Sequence, residues 1–235
     1  MEQSPKKENI ESLPLVDFTY DKQKDIACLL AMGRGSQFSP SPTKVYEQLT
    51  AQCGENPTPE QASLFVEKYL LENKIDIPAF IEKCKNESGE LMDNFKKTAE
   101  QIFGVKIPEG TKAYLTVNSI YPYNIEKNFF YTAISNSVRV INVSIHELWH
   151  FYTWYKFGKI QEESGEENGK KYEDIKESLT VLLNSDFLNL LPEGQKDNGY
   201  PQHKELRERI GELWKQNPDI EFVWNTIWKE TESES

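Results

Sequence analysis

Residues 138–157 read VRVINVSIHELWHFYTWYKF, and Gly158 follows them. Gly158 marks the end of a helix. Its start lies anywhere from Ser137 to Ser144, because Val138, Val140, Ile141 and Val143 suit either a third strand or the first turns of a buried helix, while Ser144 with Glu147 three residues on forms a capping-box pattern. On a helix, residues four apart share a face with their Cβ atoms about 5–6 Å apart, so His146 and His150 aim ring nitrogens at one point. That is half of a zinc site. Glu147 follows the first histidine about 100° round the helix, close enough to hydrogen-bond a metal-held water without being a ligand, which is the place of a general base. Only three histidines occur in 235 residues, and a chance His-Glu-x-x-His has odds of roughly a few in a thousand.

Zinc in a hydrolytic site needs a third protein ligand and one open position. The metzincin pattern wants Gly at 153 and His at 156, where this chain has Thr153 and Lys156. The remaining histidine, His203, is more than fifty residues on. A carboxylate is therefore expected, from Glu162, Glu163, Glu166, Glu167, Glu173, Asp174 or Glu177, which lie in an acidic loop at 159–171 and in a helix expected from Tyr172 to about Leu191, stopped by Pro192. Ile175, Leu179, Leu182, Leu183 and Leu190 line one face of that helix, and Glu177, Val181, Asn184, Leu188 and Leu191 the opposite one, so it is buried between layers. Glu173 and Glu177 lie one turn apart, away from the main apolar stripe. Glu177 is the one inside the buried segment, where desolvating an unpaired carboxylate is costly and a metal relieves the cost. Glu173 remains the alternative.

Ahead of the motif, residues 112–123 and 128–135 are rich in Tyr, Phe, Val, Ile and Thr and read as two strands joined by a turn near Pro122 to Lys127, a small antiparallel sheet. From Leu13 to Gly104 the pattern is helical. One helix follows Pro59, with Leu64, Phe65, Tyr69 and Leu70 at helical spacing, and another follows Pro78, with Met92, Phe95, Ala99, Ile102 and Phe103 continuing a face up to Gly104. No chemistry is read in this half. Beyond the loop at 194–202, residues 203–228 are helical with a break at Asn217-Pro218. The expectation is an α+β fold, predominantly α: a disordered tail at 1–12, a helical N-terminal region at 13–107, and a core with C-terminal helices at 108–235, the last two separate or one compact unit.

The net charge of −11 comes with no basic stripe, which argues against a nucleic-acid backbone or an anionic membrane as the main partner. Cys28, Cys53 and Cys84 form no Cys-x-x-Cys pair and read as free thiols. The polar N-terminus has no apolar run behind it, and no stretch approaches the ~20 apolar residues that span a bilayer. A cytoplasmic location is expected.

In these motifs the chain resembles the gluzincins, zinc peptidases with HExxH on one helix and a glutamate ligand on the next. The resemblance rests on His146-Glu147-Leu148-Trp149-His150 and, more loosely, on Glu177-Ser178-Leu179-Thr180, which looks like the Glu-[Gly/Ser]-apolar-small run around that family's third ligand. It covers about residues 112–191. It implies a zincin-like core whose last strand runs beside the bound peptide, one catalytic zinc on His146, His150 and Glu177, and hydrolysis of a peptide or protein substrate with Glu147 as base. It also implies an oxyanion donor that is a Tyr or His, for which His203 and Tyr200 are the candidates and Tyr172 another. No Asn precedes Glu177, unlike some members, which keeps Glu173 open. Two other functions fit the same motif: a noncatalytic zincin-like module whose zinc only fixes two helices, and a narrow regulatory protease acting on one protein partner.

Overall fold

The computed structural model describes residues 13–36, 40–158, 165–185 and 188–232. The tail expected at 1–12 and the candidates Glu162 and Glu163 lie outside them. In chain order the elements are β1 (Val16–Thr19), α1 (Lys22–Met32), α2 (Lys44–Cys53), α3 (Pro59–Glu72), α4 (Ile77–Phe103), β2 (Thr111–Thr116), β3 (Tyr123–Asn124), β4 (Phe129–Ala133), α5 (Ser137–Phe157), α6 (Gly165–Leu179), α7 (Lys204–Gln216) and α8 (Ile220–Glu232). Short 3-10 turns occupy Thr180–Asn184 and Pro201–His203. The fold is α+β and predominantly α.

The sheet is mixed, which corrects the antiparallel one expected. Its order is β1-β2-β4-β3. Val16 stands opposite Thr111 and Lys112 opposite Phe129 in parallel pairs, and only β3 runs antiparallel to β4, with Tyr123 opposite Phe130. The physical reason is a crossover. After Thr116 the chain passes to the far edge, makes β3, and turns back at Asn128, whose φ of 53° and N–H bond to the Ile125 carbonyl close the turn. The turn expected near Pro122 to Lys127 thus joins β3 to β4, and β4 lies beside β2 in the same direction. β1 falls in a region read as helical. Its four residues bury Val16 and Phe18 on one face.

Helix starts follow side-chain caps. Asp21 accepts from the Gln23 and Lys24 amides at α1, Thr58 and Gln61 form a capping box at α3, and Asp76 accepts from the Ala79 amide at α4. Such caps hold orphan amides at helix ends and are each worth about 1 kcal/mol. On α3, Ala62, Phe65 and Val66 face inward while Leu64 is 68% exposed, so Leu64 is not part of the packed face. Asn136 caps α5 through the Arg139 amide, setting its start at the early end of the expected range, and Gly158 ends it.

α5 is the centre of the molecule. Val140, Ile145, Leu148, Trp149, Phe151 and Tyr152 are completely buried. The Phe103 ring of α4 meets Trp149 edge-on at 4.8 Å, Phe130 of β4 meets Phe151 at 6.4 Å, and Trp224 of α8 stacks on Phe157 at 4.2 Å. A second apolar cluster joins Ile26, Leu29, Tyr46, Leu49, Phe65 and Val66 of α1–α3 to Val117 after β2. Full burial of each such side chain is worth about 1.5–3 kcal/mol. With apolar neighbours around most of α5, its polar stripe at 139, 142, 146, 147 and 150 faces a cleft.

The helix expected from Tyr172 to Leu191 is displaced. α6 begins at Gly165, because its early turns are held by tertiary contacts: Lys171 lies over the Trp228 ring at 4.3 Å, and Tyr172 packs between Trp154 and Trp224. It tightens to 3-10 after Leu179, where the Glu177 carbonyl accepts from the Thr180 hydroxyl at 2.8 Å and from Arg207 at 3.4 Å. No helix among the described residues is long and apolar enough to cross a membrane.

Candidate metal centre

The α5 stripe and α6 face each other across a cleft of about 940 Å³, walled by residues 119–123 on one side and 195–200 on the other. At its floor His146 Nε2 and His150 Nε2 stand 2.9 Å apart. Glu177 completes the group, with Oε1 3.4 Å from His150 Nε2 and Oε2 3.9 Å from His146 Nε2. A tetrahedral ion with bonds near 2.1 Å holds its ligands about 3.4 Å apart, a separation the three distances bracket. Two histidines and a carboxylate also form a donor set that suits a catalytic zinc. Glu177 is buried at 6% exposure, and burial would raise its pKa, but His150, Lys176 and His146 hold it well below the usual carboxylate range.

Glu173 lies one turn earlier and also lines the cleft, yet it is engaged by the buried Lys176 ammonium at 2.5 Å. Lys176 also donates to the Tyr123 hydroxyl and lies 3.4 Å from Glu177 Oε1. Among the described residues, Glu177 is the acidic candidate gathered with both histidines.

A residue that sequence reasoning missed orients His146. Asp197 Oδ2 lies 2.5 Å from His146 Nδ1, so Nδ1 carries a proton, and in the neutral ring, the form that binds a metal, the Nε2 lone pair points into the group. Asp197 is held in turn by Arg207, whose Nη2 donates to Oδ1 at 2.8 Å and to the Asp197 carbonyl at 2.7 Å. Thr180 and Asn184 add bonds of 2.8 and 2.7 Å. Burial raises the Asp197 pKa, but His146 and Arg207 more than offset this and leave it at about 2. Burial would lower His146, and Asp197 overrides it, raising the imidazole to about 9. His150 has no such carboxylate at Nδ1, and burial takes it down to about 4. Gly199, at φ +61°, belongs to the same device: a Cβ there would come within 2.5 Å of the Arg207 guanidinium.

Glu147 is buried beside the group, and its Oε2 has no hydrogen-bond partner. Burial pushes its carboxyl up to about 8, with His146 opposing, and a cation in the site would oppose that rise further. Tyr200 lines the cleft, where burial followed by the Glu177 and Glu147 charges raises its hydroxyl to about 12. His203 is not in the cleft wall. It is buried and bonds Asp174 at 3.0 Å, with its ring edge-on to Tyr200 at 5.8 Å. Tyr172 is in the core. Tyr121 and Tyr123, not singled out from sequence, do line the cleft. Comparison with family models, with curated proteins and with solved structures finds no match.

Proposed function

We propose that this protein is a zinc-dependent metallopeptidase with gluzincin-like chemistry on a zincin-like core, in which His146, His150 and Glu177 hold one zinc ion and Glu147 is the general base. The observation that carries the proposal is the convergence of the two Nε2 atoms and the Glu177 carboxylate at the floor of a cleft. When bound, zinc supplies Lewis acidity, which polarises a carbonyl and makes water acidic near neutral pH. Glu147 takes the proton of the attacking water and passes it to the leaving amine. Asp197 keeps the His146 proton on Nδ1, and Lys176 balances the charge of Glu177. Tyr200, at the cleft wall, is the donor assigned to the developing oxyanion. Among the described residues β3 pairs on one side only, with β4, and an extended substrate lies along that edge.

The test compares zinc-loaded wild type and Glu147→Gln on a peptide library read by mass spectrometry. We expect cleavage by the wild type and a loss on the order of 10²–10⁴-fold in the variant, with zinc content unchanged. Equal cleavage by both contradicts the mechanism. Stoichiometric zinc without turnover of any peptide assigns the noncatalytic module, and cleavage of many unrelated peptides at similar rates counts against a protease with a single partner.

A further inference from the structure

Arg139, Asn142, His146 and His150 lie three to four residues apart along α5, so they share the face that opens into the cleft, and all four line it. Arg139 is two turns before His146, about 10.5 Å along the axis. Arg139 is exposed and makes no ion pair with a carboxylate among the described residues. Of the other cations that line the cleft, Lys176 is engaged by Glu173, and Lys196 belongs to the opposite wall at 195–200. Beside Arg139, Asn142 Oδ1 is buried with no hydrogen-bond partner among the described residues, and the buried Tyr121 hydroxyl has its own proton undonated there. Burial raises the pKa of that phenol, and Arg139 opposes the rise both by its charge and as a hydrogen-bond donor to the phenol oxygen, ahead of the Glu147 charge, so the hydroxyl sits beside the guanidinium. Buried polar atoms left unpaired cost free energy that a ligand in the cleft recovers.

We propose that Arg139, Tyr121 and Asn142 form a subsite for a carboxylate-bearing residue of the substrate, the guanidinium and phenol donating to the carboxylate and Asn142 Oδ1 accepting that residue's backbone N–H. A planar guanidinium takes a carboxylate through two parallel bonds. An extended chain advances about 3.3–3.6 Å per residue, so the axial span of about 10.5 Å places a carboxylate held at Arg139 about three residues from a carbonyl at the metal position. The chemistry is shared by an acidic side chain and by a chain-terminal carboxylate, and the subsite selects substrates having either one there. The position of the scissile bond rests on the peptidase proposal, whereas the binding does not.

The experiment therefore reads binding. Zinc-loaded Glu147→Gln is titrated with fluorescein-labelled hexapeptides in which a single Glu is moved position by position against a matched Gln set, each made as free acid and as amide. We expect at least one carboxylate peptide to bind about tenfold tighter than its neutral match, a gap in the Glu/Gln pairs marking a side chain and a gap in the acid/amide pairs marking the terminus. In Glu147→Gln/Arg139→Gln the gap closes, and in Glu147→Gln/Arg139→Lys, which keeps the charge without the fork, it is intermediate. Equal binding of all matched pairs, or a gap that survives both changes at Arg139, overturns the subsite. Charge-selective binding with no cleavage by the wild type sinks the peptidase proposal and keeps the subsite, while cleavage without charge selectivity does the reverse.

Discussion

Asp197 fixes the tautomer of His146 from 51 residues away. Outer partners of this kind alter metal affinity 10–100-fold when changed, so Asp197→Asn is expected to weaken zinc binding by about that factor in a chelator competition. The same substitution leaves Arg207 with a neutral partner, and an unchanged zinc affinity would contradict the orienting role. Another buried carboxylate, Asp25, lies where α1 meets the end of β2. It accepts from the Thr116 hydroxyl at 2.7 Å and the Val117 amide at 2.9 Å, yet burial outweighs both bonds and raises its pKa. A folded-state pKa above the unfolded one gives stability that is present below the unfolded value and is lost as pH rises through the folded value. Asp25→Asn, whose amide oxygen can accept the same bonds, should therefore gain in melting temperature relative to wild type as pH is raised from about 3 to 7, starting from the ordinary carboxylate value near 3.9. A difference that stays constant over that interval contradicts the burial penalty. His146, Glu147 and His150 were legible because helical spacing alone brings them together. Asp197 was not, since Gln195-Lys196-Asp197-Asn198-Gly199 has the composition of any turn and nothing local reveals its histidine. Lys176 likewise has the pattern of a solvated helix charge and is 1% exposed.

Among the elements, α5 was read almost to its ends because a cap, a glycine and a run of large residues agree. The sheet was misread for a physical reason: residues 111–116 and 129–133 have strand composition, but whether they pair parallel depends on a crossover, and β1 pairs with a strand some ninety residues later. α6 was placed late because Gly165, Gly169 and a run of charges resemble a loop, while Trp154, Trp224 and Trp228 hold its early turns from outside. The α4–α5 seam gives a direct test of the core. Phe103 is 1% exposed and packs against Trp149 and Tyr152, so Phe103→Ala should cost about 3–5 kcal/mol in urea unfolding. A loss under 1 kcal/mol contradicts the packing. The loop carrying Asp197 has its own test in Gly199→Ala. The left-handed φ costs about 1–2 kcal/mol for a residue with a Cβ, and the methyl group would displace Arg207, so both melting temperature and zinc affinity should fall.

At the scale of the whole molecule, one contiguous apolar cluster runs from Leu15 to Ile227. The metal group is thereby built into the core, its two helices α5 and α6 tied by Trp154 and Tyr172 on the side away from the cleft. Cys28 and Cys84 are buried, and burial pushes both thiols up to about 11, whereas Cys53 is partly exposed. The native protein should react rapidly with a thiol reagent at one cysteine and the unfolded protein at three. Rapid reaction of all three in the native protein contradicts the packing of α1 and α4. The central claim is the ligand set, and metal content tests it most directly. Zinc per chain is measured after dialysis for the wild type, His150→Ala, Glu177→Ala and Glu173→Ala. We expect one zinc in the wild type and in Glu173→Ala, with loss in His150→Ala and Glu177→Ala. Retention of zinc in Glu177→Ala, or its absence from the wild type reconstituted with excess zinc, would contradict the site.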